Sequence, residues 1–291
     1  MRFAFLLLPL LLIGELGCSS LQSNLVHRNV SVQIYNTSKT KDTHDMVTVW
    51  VHGTSRNPLI KKWHTSPRGV TNFEEIPDDY TLKAIAIELD AHDKARFPKS
   101  AFYTFGWSGE LSFKSRELAG RDLDLALRNI SAIHQMRYGH KPRLRLITHS
   151  HGCNVALNAS DEMVLGEHTI AIDELVMLAC PVQYATASKL KSRAFKHIFG
   201  LFSTMDLTQV MDPQGLNLEG VESGGKLFSE RRFLPQPNLI QAQIRWQGFG
   251  LSHVGFVRER FAKALPAILT ELRDGKTETQ TPEYVIDVSA T

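Results

Sequence analysis

The run Leu144 to Ala156, LRLITHSHGCNVA, holds the residues best placed to do chemistry. Leu144 to Ile147 is a short apolar stretch of the kind that forms a buried strand, and Gly152 to Met163 reads as a helix starting directly after it. Ser150 sits at the junction. A sharp strand-to-helix turn pushes such a serine above the sheet into an exposed, strained position. Small residues two before and two after it keep strand and helix from colliding: Gly152 meets the second requirement, and the β-branched Thr148 crowds the first. The first N–H groups of a helix lack intrahelical partners and carry partial positive charge. The His151 N–H would therefore face an oxyanion developing on a carbonyl attacked by Ser150. The bland alternative is a Ser-His-Gly helix cap with no chemistry, and the strand before and helix after argue against it.

Other groups stand at the ends of apolar runs. His52-Gly53-Thr54 closes Met46 to Val51, and Phe105-Gly106-Trp107 closes another run. Asp206 follows Ile198 to Thr204, with Asp212 close behind in Met211-Asp212-Pro213. His253 follows Leu239 to Trp246. His197 lies beside Lys196 and reads as surface; His151 and His168 are the other histidines after Ser150. Trp107 reads equally as a pocket wall or as an ordinary buried tryptophan. His52, His149 and His151 are close enough in pattern to suggest a metal, but no carboxylate or cysteine at ligand spacing accompanies them. No metal and no cofactor are expected.

These junctions need a framework. Short apolar strands alternating with helices predict an α/β fold with a mostly parallel central sheet covered by helices on both faces. Ser115 to Tyr138 is the clearest helix, stopped by Gly139, with Leu118, Leu123, Leu125, Leu127, Ile130, Ile133 and Met136 falling largely on one broad apolar face. Leu82 to Leu89 fits a strand or a short helix. Phe256 to Arg273 predicts a terminal helix with Pro266 as a kink. The segment 211–237 is rich in Gly, Pro, Glu and Asn and reads as an excursion from the sheet, in the place of a cap. Residues 46–273 form the main domain, 18–45 a leader with a first strand (Val30, Val32 and Ile34 alternating with polar residues), and 274–291 a loose polar tail.

His149-Ser150-His151-Gly152 resembles the nucleophile elbow of bacterial lipases and esterases of the α/β-hydrolase superfamily, and His52-Gly53 resembles their oxyanion loop. Thr148 stands where that family usually has glycine. The resemblance spans about residues 46 to 273. It implies the chain order serine, acid, histidine: Ser150 as nucleophile, Asp206 as acid with Asp212 as the other candidate, and His253 as base. It also implies an oxyanion hole from the N–H groups of Thr54 and His151, supported by His52, Gly53 and Gly152. The expected activity is that of a serine hydrolase cleaving a carboxylic ester, lipase- or esterase-like, through an acyl-enzyme, with a lipid-like acyl substrate as partner. A thioesterase, an acyltransferase, or an inactive relative serving as an envelope binding protein uses the same framework.

The net charge of +3 is small for 291 residues, and no basic stripe interleaves with aromatics, so nucleic acid is not an expected partner. Arg2 followed by the apolar run Phe3 to Ile13 is too short to span a bilayer and the right length for a signal-peptide core. Gly17-Cys18-Ser19-Ser20 resembles the lipobox of bacterial lipoproteins, with 1–17 as the removed peptide and Cys18 as the lipidated residue; Glu15 departs from that pattern. The resemblance implies a membrane-anchored lipoprotein of the bacterial envelope, and a plain signal peptide with secretion, or an uncleaved anchor, is the other reading. Cys153 and Cys180 sit in apolar contexts and read as buried core residues, with a single bridge between them left open.

Overall fold

The computed structural model describes residues 28–33, 45–55, 65–165, 169–217, 219–274 and 283–289. The expected signal peptide, Cys18 and His168 lie outside them. Ten strands form one sheet: β1 (Arg28–Gln33), β2 (Met46–Val51), β3 (Gly69–Asn72), β4 (Phe102–Gly106), β5 (Arg143–His149), β6 (Ile172–Leu178), β7 (Phe195–Phe202), β8 (Leu239–Trp246), β9 (Phe249–Gly250) and β10 (Glu283–Ser289). Their spatial order is β1-β10-β8-β7-β6-β5-β2-β4-β3, with β9 paired to β8. Among the described strands, only β3 and β9 pair antiparallel. This strand order, with crossover helices, is an α/β-hydrolase fold.

Strands covered on both faces must be apolar on both. Within β5, Leu144 and Leu146 join one buried cluster and Ile147 the other. The first face is covered by α2 (Phe113–Tyr138) and α3 (Gly152–Met163). The opposite face is covered by α1 (Thr81–Asp93), which settles the strand-or-helix question at Leu82 to Leu89, and by α6 (Glu259–Asp274), which keeps Pro266 inside the helix. Beneath α6, the buried Arg145 donates to Glu174 at 2.6 Å, and Glu174 also takes a hydrogen bond from Arg273.

Two expectations are corrected. The α2 helix starts at its Ser112 cap and ends at Gly139, whose φ of 83° suits glycine. Its buried side, however, carries Arg116, Ala119, Gly120, Leu123, Leu127 and Ile130, while Leu118, Leu125, Ile133 and Met136 are exposed. A Cβ on Gly120 would lie 2.8 Å from Ala159 N, so close approach of α3 selects the small-residue side rather than the leucine-rich one. The tail expected to be loose supplies β10, which lies parallel between β8 and β1. Tyr284, Ile286 and Val288 alternate into the core and are fully buried there. That period of two was present in the sequence behind a polar approach.

Candidate active site

Ser150, Asp206 and His253 follow β5, β7 and the β8–β9 hairpin, at the carboxyl ends of the parallel strands. This is where a sheet of this kind exposes its chain ends to ligand. Ser150 adopts φ 54°, a left-handed conformation that costs a non-glycine residue about 1–2 kcal/mol. Its N–H donates to Leu178 O (2.9 Å) and its carbonyl accepts from Cys153 N–H (3.0 Å), so the turn is tied to β6 and to the first turn of α3. Two glycines make room. A Cβ on Gly53 would lie 2.7 Å from Ser150 Cβ, and one on Gly152 would lie 2.5 Å from Val51 O. Thr148 fits without a glycine there: it is buried, with its hydroxyl donating to Val176 O at 3.1 Å and lying 3.1 Å from Cys153 Sγ.

Ser150 Oγ lies 2.9 Å from His253 Nε2, and His253 Nδ1 lies 2.7 Å from Asp206 Oδ2. The carboxylate's other oxygen, Oδ1, accepts the N–H of Gln209 at 3.0 Å, capping the short helix α5 (Leu207–Val210), which follows the equally short α4 (Tyr184–Ala187) in the chain. Asp206 is therefore held at both oxygens and is buried, whereas His253 keeps a little solvent contact. His149 flanks His253: its ring centroid lies 4.8 Å from that of His253, and its Nε2 is 3.1 Å from His253 O.

Asp212 is placed differently. Its Oδ1 lies 2.9 Å from His151 Nε2, and its Oδ2 accepts from Gln183 Nε2 (2.6 Å) and Ser229 Oγ (2.5 Å). The structure thus brings Asp206, not Asp212, to His253. Burial pushes the Asp212 carboxyl up, but the hydrogen bonds it accepts from His151, Ser229 and Gln183 outweigh it and hold the group at about 2. Burial also pushes the His151 imidazole below its ordinary range. His197 is exposed on β7.

On the oxyanion-loop side, the Trp107 backbone N–H donates to His52 Nε2 (3.1 Å), its indole N–H donates to His52 O (2.8 Å), and the two rings stack with centroids 5.8 Å apart. Trp107 is a buried brace for His52. His52 Nδ1, 2.7 Å from Gly53 O, then carries the proton. The loop continues through Thr54, whose hydroxyl is buried with no hydrogen-bond partner among the described residues, to Ser55, whose N–H donates to Gly109 O at 3.0 Å. His52, His149 and His151 are drawn to separate neighbours, and no group of three or more potential metal ligands occurs among the described residues. Cys153 and Cys180 are buried free thiols, as the core reading expected. Sequence reasoning missed Arg116, Gln183, Asn154 and Gln209. They are polar residues turned inward, which a hydrophobic pattern does not mark.

Fold and geometry together define the class: an α/β-hydrolase fold with a serine, a histidine and an aspartate in one hydrogen-bonded line. No protein-family model matches the chain, and no curated protein matches it. Among solved structures, it is similar to the phospholipase PlaB of Legionella pneumophila in complex with thio-NAD, at 16% identity and a TM-score of 0.43, over 81% of this chain and 59% of that one. It is also similar to the lin2722 gene product of Listeria innocua (12%, 0.36, over 84% and 98%) and to Aspergillus fumigatus lipase B (13%, 0.35, over 76% and 51%). The chain thus spans about three-fifths of the phospholipase and half of the lipase.

Proposed function

We propose that the chain is a serine hydrolase that cleaves carboxylic esters through an acyl-enzyme on Ser150. The observation that carries the reading is the continuous line Ser150 Oγ, His253, Asp206, with spacings of 2.9 and 2.7 Å. A serine hydroxyl is a weak nucleophile until an adjacent imidazole takes its proton. His253 Nε2 accepts that proton as Oγ attacks the ester carbonyl, then returns it to the leaving alkoxide. Asp206 accepts the Nδ1 hydrogen, fixing the tautomer and stabilising the imidazolium. Water attacks the acyl-enzyme by the same route in reverse. The N–H groups of His151 and Thr54 serve as oxyanion donors, each worth about 3 kcal/mol in the barrier.

A lipid-like acyl substrate is supported by what surrounds the polar residues. Met205 and Leu207 flank Asp206, Met211 adjoins Asp212, Val254 follows His253, and Phe249 lies on the β8–β9 hairpin before it, all exposed. Grouped exposed apolar residues mark contact surfaces. The segment 211–237 is pinned at Asp212 and by the Val182–Glu230 bridge, and we assign it to the wall of the site. We further propose that Cys18 carries a lipid anchor in the bacterial envelope. No helix among the described residues is long and apolar enough to cross a membrane.

A fluorophosphonate probe tests the reaction class: it should label the folded chain and not Ser150→Ala, and failure to label the folded wild type would overturn the proposal. p-Nitrophenyl esters of graded chain length test the acyl preference. Recovery of Cys18→Ala in the soluble fraction, against membrane-bound wild type, tests the anchor.

A further inference from the structure

We propose that Asp212, with Gln183 and Arg116, is a positioning relay for the oxyanion hole, acting through the residue that follows the nucleophile. The inference rests on the hydrolase reading above and extends it. Both nitrogens of the His151 ring are engaged: Nε2 by Asp212 Oδ1 (2.9 Å) and Nδ1 by the Asn154 side-chain amide (3.2 Å). Asn154 Nδ2 also donates to Pro181 O at 3.0 Å, so it is the donor and His151 Nδ1 the acceptor. The proton therefore resides on Nε2 and is donated to Asp212. A ring clamped at both nitrogens cannot turn, and it lies one residue after a backbone held at φ 54°. His151 has no side-chain capping hydrogen bond to α3 that would do the same work. The clamp fixes the peptide between Ser150 and His151, and with it the His151 N–H.

A buried carboxylate beside an oxyanion would by itself oppose the developing charge. Arg116 offsets it. It is fully buried on α2, and its Nη2 donates to Gln183 Oε1 (3.2 Å) while Gln183 Nε2 donates to Asp212. Its Nε and Nη1 make no hydrogen bond among the described residues. Its charge therefore acts on Asp212 across the amide and through the field. The relay links α2, the turn after β6, the 211–237 segment and the elbow.

The test uses the full chain and a p-nitrophenyl ester beside its thiono analogue, in which sulfur replaces the carbonyl oxygen. Sulfur is a poor hydrogen-bond acceptor, so the oxygen-to-sulfur ratio of kcat/KM reports oxyanion donation. In Asp212→Ala we expect kcat on the ester to fall about a hundredfold with KM changed less than about threefold, and the ratio to fall about tenfold or more. Asp212→Asn keeps an acceptor for His151 and should restore kcat to within about tenfold of wild type. If Asp212→Ala does not fold, Asp212→Asn carries the test, with a fall of about threefold in the ratio expected. An unchanged ratio in a folded variant, a rise in KM with kcat intact, or a wild type indifferent to the sulfur overturns the relay. Ser150→Ala separates the two readings: activity surviving there overturns the hydrolase itself, whereas an inactive Ser150→Ala beside unaltered Asp212 variants overturns only the relay.

Discussion

Gly152→Ala is the smallest change that should break the site from within. A Cβ at this position would lie 2.5 Å from Val51 O and 2.6 Å from His52 O. Ordinary carbon–oxygen contact begins near about 3.3 Å, so the shortfall is roughly 0.8 Å. Both obstructing atoms are backbone, and no rotamer change can relieve the clash. Either the start of α3 moves away from the end of β2, or β2 moves and carries His52, Gly53 and Thr54 with it. Overpacking of this kind costs about 1–3 kcal/mol in stability. A displacement approaching 1 Å between reacting groups costs about a hundredfold in rate. The assay pairs urea unfolding with the rate of fluorophosphonate labelling. A shift of about 1–3 kcal/mol together with a labelling rate down by about two orders of magnitude is the expected result. Gly69→Ala is an informative contrast, because its φ of 82° strains a side chain while nothing lies within 4 Å of its Cβ. It should lose stability and keep its labelling rate. A Gly152→Ala protein with wild-type stability and labelling would refute the claim that strand, loop and helix meet at this contact.

Other perturbations separate the parts. Asp206→Asn should lower kcat by about 10⁴ through the wrong His253 tautomer, with labelling slowed in step; a loss of less than about tenfold would remove Asp206 as the acid. Arg145→Met leaves Glu174 buried with one of its two arginines gone and should cost about 3 kcal/mol in urea unfolding, without changing KM. pH acts on stability through groups whose folded values are depressed, and His151 and Asp212 are the two that belong to the proposed relay. As pH falls below about 6.5 the unfolded chain takes up a proton that the buried His151 refuses, so stability is complete above that pH and declines below it. The contribution of Asp212 is complete above about 4 and is lost as pH falls through about 2. His151→Gln should flatten the upper limb in a series of melts from pH 8 to 5, and identical slopes in variant and wild type would contradict the assignment.

Much of the fold was legible because strands buried on both faces cannot hide. Met46–Val51 stands in the sequence as a nearly unbroken apolar run with the same bounds as β2, while Leu239–Trp246 shares the bounds of β8 but alternates, with Gln241, Gln243 and Arg245 only partly buried. The α2 helix shows where such reading stops. Its boundaries follow from Ser112 and Gly139, but its buried side follows from how closely α3 approaches, and Gly120 rather than any leucine marks that contact. β10 was missed for another reason. Pairing with β8 and β1 is a contact between distant parts of the chain, and a polar approach masked the alternation of Tyr284, Ile286 and Val288.

The proposed nucleophile was the most readable part of the site, because its constraints are local: a strand, a turn, a glycine and a helix within a dozen residues. The acid was harder. Asp206 and Asp212 lie six positions apart, both beyond β7, and their sequence settings differ little. What separates them is the single turn of α5 between them. Asp206 caps that turn and faces His253, while Asp212 leaves its far side and faces His151. One short helix thus divides two carboxylate–imidazole pairs, one reaching the serine hydroxyl and the other the residue after it. The pairs also differ in wetness: His253 retains solvent contact, as the proposed proton-exchanging base requires, and His151 is sealed. A sealed imidazole held at both nitrogens is suited to fixing backbone, not to moving protons. On the proposed reading, the carboxylate that looked like a spare acid in the sequence becomes part of the support for the oxyanion donor.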